Sequence, residues 1–178
     1  MTQATALQRR RATFFGVAAW LWSLLFAAIS FYWALGGTAG SETIGPAITD
    51  LAQDPAFVTV LWIIAVLKVL LGLLALALIL PLRGIFAWRV LHGLLRAAGW
   101  AAGIGMALYG GASFVQHALM LSGAIPLPSG LGETAATWHL FLWDPWWMLG
   151  GILFVGTVWF AGGGNSPESG RVGAGGPE

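Results

Sequence analysis

Cysteine is absent from this chain, and charged residues make up only 8% of it. The first absence excludes structural disulfides, thiolate metal sites and any thiol–disulfide relay. The second excludes an ordinary soluble domain, which carries about 25% charged residues. No strong charge of either sign is present: the net charge is +1, which gives no case for a nucleic-acid partner. Apolar and polar residues do not alternate, which weighs against a membrane β-barrel. Phosphate-binding loops, nucleophile elbows and zinc-protease motifs do not occur. No internal repeat is visible, which weighs against transporters built from inverted halves.

What is present is apolar. Hydrophobic residues are 58% of the chain, with 11 tryptophans, and they come in long runs. At about 20 residues per crossing, the runs predict an all-α integral membrane bundle of four transmembrane helices. The expected spans are about 14–35, 57–80, 95–121 and 146–161. A basic N-terminus (1–13) precedes the bundle domain (14–162), and a Gly-, Ser- and Pro-containing tail (163–178) reads as disordered. The first run exceeds the roughly 7–15 residues of a signal-peptide core, so it reads as a retained helix. Gly36, Gly37 and Gly40 end it. Residues 46–53 suit a short interfacial helix, and Pro81 stops the second span. A further short interfacial helix is expected over 135–143, before the fourth span. Asp144-Pro145 then reads as the start of that span, with Asp as N-cap and Pro at the first helical position.

Arg9, Arg10, Arg11, Arg83, Arg89 and Arg171 all fall on one side of a four-span arrangement, and the two opposite loops hold no Lys or Arg. The positive-inside rule then predicts an inner-membrane protein with both termini cytoplasmic. The third run carries Gly99, Gly103, Ala107 and Gly111 at a spacing of four, a stripe suited to close helix packing within the chain or against a second copy. In the second run, Ala65, Lys68, Gly72 and Ala75 share one face, expected to point into the bundle.

Lys68 is the most informative residue. It lies near the expected bilayer midplane, where a charge costs at least roughly 2.5 kcal/mol. It suits contact with an anionic or carbonyl-bearing ligand, proton carriage as a neutral amine, or structural pairing inside the bundle. Asp144 is expected as a helix cap at the outer interface or as an acid at a cavity mouth, facing Glu42 or His139. Glu42 reads equally as a solvated loop acid. His92 and His117 lie on one helix about 37 Å apart and cannot share a haem iron. His117 and His139 can share the outer side with a carboxylate, a set able to bind metal. No i, i+3 or i, i+4 pair of ligands supports that reading, so no metal, cofactor or catalytic residue is expected.

Two stretches point to a family: Phe31-Tyr32-Trp33-Ala34-Leu35-Gly36-Gly37-Thr38-Ala39-Gly40 and Leu142-Trp143-Asp144-Pro145-Trp146-Trp147-Met148-Leu149-Gly150-Gly151-Ile152-Leu153-Phe154. With them the chain resembles the small bacterial membrane proteins grouped as domain of unknown function family 3995. The resemblance implies a four-helix inner-membrane protein and no particular activity. It directs attention to Tyr32, Trp33, Gly36, Gly37, Trp143, Asp144 and Pro145, all on the expected outer side. Three functions compete. The first is binding or transport of a small amphipathic molecule in an outer cavity lined by Tyr32, Trp33, Trp143 and Trp146, with Lys68 at its floor. Glu42, His117 and Asp144 are further candidates for that cavity. The second is an accessory or structural subunit, as a homodimer or in a larger membrane complex, with the lipid bilayer as constant partner. The third, an intramembrane enzyme, lacks a second ionisable group at the depth of Lys68.

Overall fold

Helices dominate because lipid leaves no water to satisfy backbone polar groups, so each crossing must satisfy its own. A computed structural model of the chain describes residues 3–45, 51, 54–80 and 86–162, the backbone alone over 86–89. Helix α1 is Gln3–Ala34, α2 Pro55–Ile79, α3 Phe86–Leu121, α4 Gly132–Trp138 and α5 Asp144–Gly162. A 3-10 turn occupies Ser41–Thr43, and a π-helical turn over His139–Trp143 joins α4 to α5. No strand occurs among the described residues. Four stretches are long and apolar enough to cross a membrane: Gln3–Ala34, Pro55–Ile79, Val90–Leu121 and Gly132–Gly162. The all-α, four-helix class expected from the sequence is therefore the class observed. Most of the expected helix over 46–53, the stop at Pro81, Arg83, the side chain of Arg89 and the tail with Arg171 lie outside the described residues.

Local chemistry sets the helix ends. Asp54 is extended (φ −79°, ψ 119°), its side chain accepts from Ala56 N at 2.8 Å, and Pro55 occupies the first position of α2. That is an N-cap followed by a residue with no amide proton to waste. Helix α1 closes with Gly37 N donating to Tyr32 O and Gly36 N donating to Trp33 O. Gly36 has φ +90°, the left-handed conformation that this paired closure requires and that glycine adopts without strain.

Small residues decide the packing. Ala12, Gly16, Ala19, Ser23, Ala27, Ser30 and Ala34 are all buried on α1. They recur every three or four residues, so one ridge of α1 is small from end to end. Helix α2 lies along α1, and α5 also packs on α1, with α3 against α5. Helix α2 makes far less of its contact with α3 and α5, which leaves a gap between them. The third-helix stripe is used within the chain. A Cβ on Gly99 would meet Val158, one on Gly103 would meet the backbone at Val155, and one on Gly151 would meet Ala107 and Gly103.

Gly111 departs from this expectation: nothing lies within 4 Å of a Cβ placed there. Gly110 takes its place, where an added Cβ would stand 2.7 Å from Asp144 O and 2.8 Å from Met148 N. The reason is helical drift. A spacing of four advances about 40° per step, so the fourth member of the stripe has left the contact line, whereas Gly110 stays within about 20° of Gly99.

The expected start of the fourth span is also corrected. Asp144-Pro145 does not open a helix, because the chain is helical without interruption from Gly132 to Gly162. The short helix before the fourth span exists, but it runs straight into that span. Asp144 N donates to His139 O, five residues back. The widened turn shifts the bonding register just before Pro145, which has no N–H to contribute.

Candidate functional site

The site begins with a buried lysine. Lys68 lies on the α2 face that also holds Ala65, Gly72 and Ala75. Its Nζ donates to Ser30 Oγ at 2.7 Å and sits 3.3 Å from the centre of the Phe26 ring. A ring face attracts a cation electrostatically, so Phe26 supplies part of what solvent would. No carboxylate lies within ion-pair distance of Lys68 among the described residues. An ammonium has three N–H bonds and Ser30 takes one.

The remaining donors adjoin a cavity of about 260 Å³. It occupies the gap between α2 and the α3–α5 pair. Phe26 and Trp33 come from α1, Phe57, Ile64 and Lys68 from α2, Tyr109 from α3, and Trp143 and Trp147 from the fourth rod. The aromatic wall is held by ring contacts: Phe26 meets Trp147 edge-on at 4.9 Å, and Trp33 meets Trp143 at 5.8 Å. Trp143 Nε1 donates to Thr43 Oγ1 at 3.1 Å, which ties the 3-10 turn over this wall. From Phe57 to Lys68 the lining runs about 16 Å along α2, from its first turns to its middle. The upper part lies at the end of the bundle opposite the termini.

A second polar group borders the same cavity. Asp144 is 1% exposed, and its Oδ2 accepts a 2.7 Å bond with His117 Nδ1. His139 Nδ1 stands 3.8 Å from Asp144 Oδ1, and its ring stacks on His117 at 4.7 Å between centres. The His139 ring also lines the cavity. One nitrogen of each imidazole and a carboxylate oxygen lie within 4.8 Å of one another, a donor set that can hold a metal ion. Helix register makes this meeting. Gly103, Gly110 and His117 are seven residues apart on α3, nearly two full turns each, so the line of close approach to α5 leads to His117.

The expected candidates divide. Lys68, Trp33 and Trp143 line the cavity; His117 and Asp144 stand behind His139 at its edge. Tyr32 does not line it: the side chain is exposed, packs over Gly37 and accepts from Ala39 N at 3.1 Å through its hydroxyl. Glu42 is exposed in the first turn of the 3-10 element. Trp146 packs on Trp22 and Phe26, with its carbonyl accepting from Trp22 Nε1. Ser30, Phe26, Tyr109 and Trp147 were not expected at the site. Ser30 carries a usable signal, since it stands seven residues from Ser23 on the small ridge of α1.

A family model matches residues 23–154. The chain belongs to the DUF3995 family, described as protein of unknown function. The part matched to DUF3995 contains Ser30, Lys68, His117, His139 and Asp144, so both polar groups lie inside the family's own extent. Arg9, Arg10 and Arg11 fall before it. No curated protein and no solved structure matches the chain.

Proposed function

We propose that this DUF3995 protein binds a small amphipathic molecule in the cavity between α2 and the α3–α5 pair, with an acceptor group of that molecule on Lys68. The observation that carries the reading is a buried amine, bonded to one serine, facing an aromatic-walled space with donors left over. A cavity of about 150 Å³ holds benzene, so about ten non-hydrogen atoms fit in this one. A carboxylate or carbonyl at Lys68 with a short apolar body along Trp33, Trp143 and Trp147 satisfies both ends. Ile64 and Tyr109, on opposite sides of the gap, are exposed, so an apolar molecule can enter sideways from lipid. The arginines at the N-terminal end support a cytoplasmic-membrane orientation with both termini inside and the cavity mouth toward the outer face.

The test is native mass spectrometry of the protein released from mild detergent, wild type beside Lys68→Met. A discrete adduct that is not a phospholipid, present on the wild type and absent from Lys68→Met, is expected. Bare protein in both samples sinks the reading, returns Lys68 to a structural role, and favours an accessory subunit. That second reading draws on α3, where Gly93 and Gly111, in phase along the helix, have nothing within 4 Å of a Cβ.

A further inference from the structure

His117, His139 and Asp144 form a group that the cavity reading does not use. The carboxylate of Asp144 is buried, and no lysine or arginine pairs with it among the described residues. A buried carboxylate needs a compensating positive charge or a proton. Here the two groups aimed at it are imidazoles, and both present Nδ1 to the same carboxylate, one to each oxygen. We infer that His117, His139 and Asp144 bind a single divalent first-row transition-metal ion at the edge of the cavity. This inference does not rest on ligand binding at Lys68.

Three features support it. The donor set is two nitrogens and one oxygen, which suits zinc and its neighbours and not calcium or magnesium, whose ligands are oxygens. Donors on one tetrahedral zinc stand about 3.3 Å apart at bonds of ~2.0–2.1 Å. The three candidate atoms already lie within 4.8 Å, and His139, 22% exposed at its side chain, is the one with room to turn. Finally, the widened π turn separates His139 from Asp144 by five residues of backbone bonding while keeping both on the α3 side. Such turns recur at functional sites. Three protein ligands leave a coordination position free, and His139 places it beside the cavity.

The experiment uses the untagged full chain in mild detergent, stripped with a chelator and desalted. Zn²⁺ is titrated by calorimetry and Co²⁺ by visible absorption, for wild type, His139→Gln and His117→Gln. The expected result is one Zn²⁺ per chain in the wild type, weakened at least tenfold in both variants, with Co²⁺ bands that disappear in the same variants. Zn²⁺ is also expected to raise the thermal midpoint of the wild type and not that of His139→Gln. His139→Gln keeps the His117–Asp144 bond, so its fold can be checked by circular dichroism before titration. Absence of stoichiometric binding by the wild type overturns the inference, and so does wild-type affinity in His139→Gln. In either case the pair His117–Asp144 is a helix-to-helix hydrogen bond and nothing more.

Discussion

The chain contains two Asp-Pro pairs, and the same dipeptide does opposite work in them. Asp54-Pro55 starts a helix: the aspartate is extended, exposed and bonded to a backbone amide two residues on. Asp144-Pro145 lies inside a helical rod, with Asp144 at φ −68° and ψ −47° and its carboxylate turned across to His117 on α3. Local propensity is equal in the two places. Residues 132–143 are already helical and packed, and a π turn absorbs the bonding mismatch that Pro145 creates. A capping signal is thus a preference that a preceding helix can override.

Substitutions at three positions put that contrast to the test, in falling order of effect. Asp144→Ala removes one partner of a buried pair and strands His117, so a loss of about 3 kcal/mol is expected in denaturant titrations of the detergent-solubilised protein. A loss as small as that of a cap would mean that Asp144 is a cap after all. Asp54→Ala is expected to cost about 1 kcal/mol, with Asp54→Asn near wild type because asparagine caps equally well. Pro145→Ala is expected to change stability by less than about 1 kcal/mol, although a proline in an ordinary helix interior costs about 3 kcal/mol. A gain near that larger figure would show that the π turn does not relieve the proline.

Much of the architecture was legible because lipid imposes long apolar runs, and four of them can be counted without knowing how they pack. Lys68 was legible for the same reason: one charge stands out in an apolar run, although the run alone leaves ligand contact, proton carriage and structural pairing open. Ser30 was missed, because a serine costs little in such a run: the small ridge of α1 marks its face, and its position opposite Lys68 gives it a role. The stripe on α3 was read one residue off at its end because a strict four-residue spacing overruns a helix of 3.6 residues per turn. Followed at the true period, through Gly103 and Gly110, it ends on His117. The meeting of His117 with Asp144 depends on the register between two helices, at positions 27 apart in sequence. No local pattern encodes that register; the backbone contact at Gly110 does.

The π turn also stores one residue. It is one residue more than an α-helix would use between His139 and Asp144. Removing a single residue from 139–143 would mend the bonding ladder and leave the hydrophobic character of the rod unchanged. His139 would then stand four residues from Asp144, about 40° away at 100° per residue, so the two would stay on one side of the rod and the helix upstream would keep its phase. The surplus residue is therefore taken up inside a single turn beside the imidazole pair, as slack in one link leaves the rest of a chain in line.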